Sequence, residues 1–580
     1  MRANLLSNLK DQLSNLNLDG YIIPKNDEYF NEYVSKSNDR LKFISNFSGS
    51  AGFAVILKNK NYLFVDGRYT IQAKIESGKK FKVITIPQKY PKDVLRTKKK
   101  IKIGFDPKLH NETQLNFLFN IKNVDLAPIK ENLIDIIWSK KPKDLIKPFF
   151  NLSTKDAGQS FNQKIEKVKK VLLKNKIDYL LVTAPENVAW ILNIRGHDSI
   201  YSPIPNTRLL INSKGDISLY SNLEKLTKIK KILSKKVKFY SEDMLERKLN
   251  NMWKQNIWLD SLSCSIHYRN LIRGNFGILW RNERNKIIEN LDPIYFLKSI
   301  KNTTEIKNMK KSHILDGAAL TKFLFWLKKN YNKKRITEIS AQKKLEDFRK
   351  KNKSYKFPSF NTISGSGPNS AIIHYKATNE SNRVLRKGDV YLVDSGGQYS
   401  LGTTDVTRTV SLGSNSQFVK EIYTRVLKGH IAVSTHKIKK NSKGSDIDYE
   451  ARKPLKEIKL DYPHGTGHGV GYFLNVHEGP QSFSKNNKVK LKSGMIISNE
   501  PGFYKEGNFG IRIENLIYIK KNRFEELTMA PIDKELIKRK MLNKGEIKWL
   551  NKYHNKVRKN LLKFMNPQEK ANLIKACSPI

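Results

Sequence analysis

The sequence predicts an α/β chain of several domains, in which two units of the same element order precede a third that carries the chemistry. Three observations point there. At 580 residues the chain is too long for one hydrophobic core, and chains of this length divide into two to four domains. A succession of helix, strand, helix and hairpin patterns runs from the N-terminus to about residue 140, and it starts again near residue 155. Beyond residue 303, histidines and carboxylates gather among glycines and apolar strand patterns.

In the first unit, residues 1–145, Leu5, Leu6, Leu9, Leu13 and Leu16 mark one face of a helix that stops before Gly20. Residues 21–24 then read as a buried strand, and residues 50–57 and 62–67 as a hairpin. Lysine and proline around Lys140, Lys141, Pro142 and Pro148 mark a linker. The second unit, residues 155–300, opens with a helix carrying Val168, Val171 and Leu172. A strand at 177–182 follows, then a helix with Pro185 in its first turn, then strands 208–211 and 217–220 around the turn residues Asn212 to Gly215. We read this recurrence as an internal duplication. The third unit, residues 303–525, begins with Thr303 as N-cap of an amphipathic helix bearing Ile306, Met309, Leu320, Phe323, Leu324 and Leu327. Residues 526–580 form a basic helical extension, expected to pack on the third unit or on a second subunit.

The charge balance is unusual, with 108 Lys+Arg against 54 Asp+Glu and a net +54. Lysines are scattered through every segment, and runs such as Thr97 to Lys100 lack the aromatic interleaving of a stacking platform, which argues against nucleic-acid binding as the main function. Two cysteines, Cys264 and Cys577, cannot build a disulfide framework and lack zinc-site spacing, so a reducing compartment is expected. The opening helix carries Lys10 and Asp11, unlike a signal peptide, and no apolar stretch reaches the roughly 18 residues of a membrane helix. A cytoplasmic location follows as the expectation.

The reactive residues fall in the third unit. His464, His468 and His477 lie within fourteen residues, and glycines at 465, 467, 469 and 471 leave room for close approach of a metal or substrate. Asp394 and Asp405 end and begin two apolar, β-branched runs that would pair as a hairpin, bringing two like charges together. Glu500 ends a strand at 495–499, and Glu514 lies in the strand pattern 510–516, on one face with Arg512. Any one of these acids alone reads as a solvated strand-edge charge. Four in apolar strands beside a Gly-flanked histidine, in a chain with twice as many bases as acids, read as a metal site. Oxygen-rich donors favour Mn²⁺ or Mg²⁺ over a thiolate-type zinc site, and four negative charges match two divalent ions. Two such ions, about 3.5–4 Å apart, would activate a bridging water.

These residues resemble the pita-bread metallopeptidases and, among them, the long Xaa-Pro aminopeptidases. The likeness spans nearly the whole chain. It rests on Ile372-Ile373-His374-Tyr375, the Asp394 and Asp405 pair, residues 464–480 ending Val476-His477-Glu478-Gly479-Pro480, Asn499-Glu500-Pro501-Gly502, and Gly510 to Glu514. The order Asp, Asp, His, Glu, Glu is shared with methionine aminopeptidase and prolidase, whereas the paired upstream units and the wording of 464–480 mark the long form. The resemblance implies two creatinase N-terminal-like α/β domains followed by a pita-bread catalytic domain. It implies that Asp394 binds one metal, Asp405 and Glu514 bridge both, and His468 and Glu500 bind the other, with Glu500 also the proton acceptor. His374, His464 and His477 would hold substrate and the tetrahedral intermediate, and Arg512 would brace Glu514. Two divalent ions, Mn²⁺ foremost, peptide substrates with proline second, and a homodimer are implied, with no specific nucleic-acid or membrane partner. The alternatives are a prolidase restricted to Xaa-Pro dipeptides and a non-catalytic module binding polyanions. Gly397 departs from the alanine frequent in relatives.

Overall fold

The computed structural model describes residues 3–96, 98–274 and 285–580. Thr97 of the lysine run and residues 275–284 lie outside it. The chain divides into two compact units, Met1–Tyr295 and Phe296–Ile580.

The first unit contains two six-stranded sheets. In one, the strands Gly20–Pro24, Phe53–Leu57, Asn61–Asp66, Lys82–Ile86, Ile101–Phe105 and Val124–Pro128 lie in the order 4-3-2-1-5-6. In the other, Tyr179–Val182, Arg208–Asn212, Ile217–Tyr220, Val237–Tyr240, Asn256–Asp260 and Lys286–Asn290 take the same order. In each sheet the first three strands pair antiparallel and the outer pairs are parallel. The recurrence read from the sequence is therefore a repeat of topology and strand sense. Leu9 and Leu13 of helix Ala3–Asn15 are buried against Leu18, Tyr21 and Ile23, while Leu16, past the helix end, is exposed. Residues 141–149 carry no regular structure and leave Leu145 and Ile146 exposed, as a linker would.

In the second unit the long helix Thr303–Asn330 is capped by Asn302, whose side chain accepts from Glu305 N in a capping box, one residue earlier than the sequence suggests. Its Met309, Leu320 and Phe323 are buried, as core residues should be. Strands Ile363–Ser366, Val390–Ser395 and Val406–Ser411 form one antiparallel sheet. Gly467–Gly469, Glu478–Phe483, Ile496–Asn499, Asn515–Lys520 and Arg523–Glu526 form another. The two strands flanking Asp394 and Asp405 do pair, but their connection folds into a smaller hairpin, Gly397–Tyr399 with Gly402–Thr403, joined to Tyr355–Pro358. A Cβ at Gly397 would stand 2.8 Å from the Tyr355 ring and 3.0 Å from the Tyr399 ring, so these tyrosines occupy the space an alanine would need. Helices Lys544–Leu561 and Pro567–Ala576 bury Leu550, Tyr553, Val557, Leu561 and Leu573 with Ile422, Val426, Ile511 and Ile513, which places the C-terminal helices in the core of this second unit. Among the described residues no helix is long and apolar enough to cross a membrane.

Candidate metal centre

Strand register gathers residues far apart in sequence. Asp394 pairs with Thr407, two residues beyond Asp405, and Asn499 pairs with Asn515, which sets Glu500 beside Glu514. Gly469 pairs with Ile497, bringing His468 to the same edge. Glu514 does not lie inside one continuous strand, as its pattern suggested. It sits at the break between Phe509–Arg512, which pairs with Gly502–Lys505, and Asn515–Lys520, which pairs with Ile496–Asn499. The break is held by Thr407 and Arg408. Glu514 N donates to Thr407 O at 3.2 Å and Thr407 Oγ1 to Glu514 Oε2 at 2.8 Å. The fully buried Arg408 guanidinium donates to the carbonyls of Thr407, Glu514 and Ala530 and to Asn515 Oδ1.

Asp405, His468 and Glu514 each present one ligand atom within 4.8 Å of the others. His468 Nε2 stands 3.4 Å from both Asp405 Oδ2 and Glu500 Oε1, longer than ordinary hydrogen bonds. Because His468 Nδ1 meets the Gly469 carbonyl at 2.9 Å, that nitrogen carries the proton and Nε2 offers its lone pair to the cluster. Asp394 Oδ1 is buried without a hydrogen-bond partner. Burial, and then the negative charge of Asp394 and Glu500, pushes the Asp405 carboxyl well above the usual range; burial and Asp405 do the same to Glu514. An orphaned carboxylate oxygen, two acids whose ionisation is opposed by burial and crowding, and an imidazole nitrogen turned toward them fit a site for divalent cations. Gly467 is required here, since a Cβ would lie 1.9 Å from Ser498 O.

Arg512 is the buried counter-charge. It pairs with Asp394 Oδ2 at 2.7 Å and donates from Nε to Thr407 Oγ1 at 3.1 Å. The sequence reading set it against Glu514; its charge does act to lower the Glu514 carboxyl, but its direct ion pair is with Asp394, on a strand of a different sheet. Nη1 of Arg512 donates to Tyr504 OH at 2.6 Å, and Tyr504 OH donates in turn to His464 Nε2 at 2.9 Å. His464 is half-buried, with Nδ1 donating to Gly465 O at 2.8 Å. His477 packs edge-on to His468, ring centroids 4.3 Å apart. His374 follows the turn Gly367–Ala371, which is held on the strand of Arg512 by Gly510 N donating to Ser370 Oγ at 2.7 Å.

Sequence reasoning missed Tyr504, Thr407 and Ser498. Ser498 Oγ donates to Glu500 Oε1 at 2.9 Å and accepts from His468 N at 2.9 Å. Period two was the available signal, since Thr407 and Ser498 each lie two residues from a proposed ligand.

Comparison with known proteins agrees with this geometry. Creatinase/Prolidase N-terminal domain families match residues 6–135 and 140–305, Metallopeptidase family M24 matches 307–521, and the C-terminal region of peptidase_M24 matches 521–580. A probable Xaa-Pro aminopeptidase P of Coprinopsis cinerea is 36% identical, over 95% of this chain and 94% of that protein. The chain belongs to metallopeptidase family M24. Among M24 structures, the X-prolyl aminopeptidase of Caenorhabditis elegans, described as a cytosolic enzyme with a di-nuclear active site, is 30% identical with a TM-score of 0.93, covering 100% of both chains. The prolidase of Pyrococcus horikoshii OT3 is 26% identical with a TM-score of 0.53, and covers 64% of this chain.

Proposed function

We propose that the chain is a metal-dependent aminopeptidase that removes the N-terminal residue from peptides whose second residue is proline. The observation that carries this reading is the convergence of Asp405, His468 and Glu514, with Glu500 and Asp394 beside them, at one buried edge flanked by His464 and His477. Two divalent cations fit the charge and oxygen-rich chemistry of the donor set, and Mn²⁺ is the ion we favour. Asp394 would hold one, His468 and Glu500 the other, and Asp405 and Glu514 both. When bound, they would polarise the scissile carbonyl and make water a stronger nucleophile.

The chain's own residues do the rest. An Xaa-Pro nitrogen has no N–H, so the site has to accept a ring and later supply a proton to the leaving nitrogen. Glu500, fixed by Ser498 Oγ and by its own N–H on Thr466 O at 2.8 Å, takes the proton from the attacking water and returns it to that nitrogen. His374, His464 and His477 line the site for the substrate and the developing oxyanion. Arg512 offsets the negative charge of Asp394 and orients Tyr504. We assign the creatinase-like domains to residues 1–145 and 155–300, the pita-bread domain to 303–525 and the helical extension to 526–580. A cytoplasmic homodimer completes the proposal; two free, buried cysteines and the cytosolic C. elegans relative support that location.

Hydrolysis of an Xaa-Pro-Xaa tripeptide, compared with the Xaa-Pro dipeptide under Mn²⁺, tests the reading. Cleavage of the tripeptide is expected, whereas turnover confined to the dipeptide would make the chain a prolidase.

A further inference from the structure

Both flanks of His464 are tied to two residues one turn apart on the helix Gly444–Lys456. Asp448 and Arg452 form a bidentate ion pair, Nε to Oδ2 at 2.9 Å and Nη2 to Oδ1 at 3.0 Å. The remaining N–H groups of Arg452 reach the carbonyl of His464 at 2.5 Å, the carbonyl of Tyr462 at 2.8 Å and the Asp461 carboxylate at 2.7 Å. The guanidinium carbon also lies 4.1 Å over the Tyr462 ring. On the far side of His464, the buried Asp448 Oδ1 accepts from Thr466 N at 3.3 Å and from Thr466 Oγ1 at 2.7 Å. Thr466 Oγ1, with its own O–H donated to Asp448, accepts from the Tyr462 hydroxyl at 2.5 Å.

His464 therefore sits on a backbone arch whose two feet, at 462 and 466, stand on one charged pair. Thr466 O also receives the Glu500 N–H, which gives the arch a point of reference beside the metal centre, while the Glu500 carboxylate is held separately by Ser498 Oγ. The His464 ring hydrogen-bonds Gly465 O and Tyr504 OH and packs against the Tyr462 ring, centroids 4.9 Å apart, while Gly465 gives the backbone beside it little restraint of its own. A planar fork that grips two carbonyls and two carboxylates fixes an arch in a way that a point charge on a flexible stem does not.

We propose that Asp448 and Arg452 are positioning residues for the aminopeptidase reaction, fixing His464 relative to Glu500 and the scissile bond. This rests on the aminopeptidase reading above. A staple serving only the fold would cost stability and act independently of His464; a positioning pair acts through it. Full-length, Mn²⁺-loaded wild type, Arg452→Lys, Asp448→Asn, His464→Ala and the double variant Arg452→Lys/His464→Ala are compared on an Xaa-Pro-Xaa tripeptide, with bound metal and thermal midpoint recorded. Arg452→Lys is expected to lower kcat by roughly 10- to 100-fold, as a displacement of about 1 Å does, with KM, metal content and midpoint close to wild type. In the His464→Ala background the same change is expected to alter kcat/KM by less than about twofold. A full-sized effect of Arg452→Lys in that background, loss of metal, or undiminished kcat in a folded Arg452→Lys would overturn the inference. If Arg452→Lys does not fold, Asp448→Asn, which keeps an acceptor for Thr466, carries the same cycle. A wild type that binds Mn²⁺ but leaves the tripeptide intact overturns the aminopeptidase reading itself, and the proposal with it.

Discussion

Asp405 and Glu514 are 4% and 1% exposed, and each faces other carboxylates with Arg512 as the nearby buried cation. Such an arrangement opposes ionisation unless further positive charge enters. Asp405→Asn keeps the shape and removes a charge, so bound metal and turnover are expected to fall together, by more than the roughly 10- to 100-fold that loss of an outer partner typically costs. An unchanged rate in that variant would remove the two-metal mechanism. His464 has a different place, hydrogen-bonded to Tyr504 and Gly465. His464→Ala is expected to lower turnover about 100-fold with metal content intact; loss of metal there would show that His464 is a ligand. The proposed ligands stood out because each is a polar residue in an apolar or glycine-rich pattern. Tyr504, Asp448 and Arg452 did not, because their partners are set by strand register and helix packing. Arg512 reaches Asp394, 118 positions away, from a strand of a different sheet.

The elements that carry the proposed ligands were mostly visible as patterns: the 390s and 400s strands form, the glycine-histidine run enters a strand at 467–469, and the duplicated hairpins form. What periodicity could not reveal is the break at Glu514, where a single apolar run serves two sheets and Arg408 satisfies the interrupted backbone. The C-terminal helices also have a chemistry of their own. His554 on Lys544–Leu561 is buried and accepts Ile532 N at Nε2 over 3.1 Å, and burial followed by the charges of Lys534 and Arg408 lowers it to about 3. Its folded value lies below the unfolded value of about 6.5, so the unfolded chain binds the extra proton first. The stability it contributes is complete above about pH 6.5 and is lost as pH falls toward 3, at about 1.4 kcal/mol per pH unit. Asp405 and Glu514, raised in the metal-free site, act in the opposite sense, so the comparison belongs at saturating Mn²⁺. Unfolding between pH 6.5 and 5 is expected to show a flatter slope in His554→Gln, and an identical slope would mean that His554 is not held neutral.

At the scale of the whole molecule, length and recurrence pointed to a repeated α/β pair ahead of the chemistry, and the two sheets of order 4-3-2-1-5-6 bear out that recurrence strand for strand. The +54 charge gave no pointer to the site, whose grouped residues are two acids and a histidine. Coverage by relatives follows the same division: the long X-prolyl aminopeptidase matches throughout and the prolidase only over 64% of the chain. The most direct measurement is hydrolysis of an Xaa-Pro-Xaa peptide by the full-length protein while bound metal is counted. Two equivalents of divalent metal per chain, release of the N-terminal residue, and loss of both on chelation are the expected result; hydrolysis that persists after the metal is gone, or two bound metals with no cleavage of the Xaa-Pro bond, would contradict it.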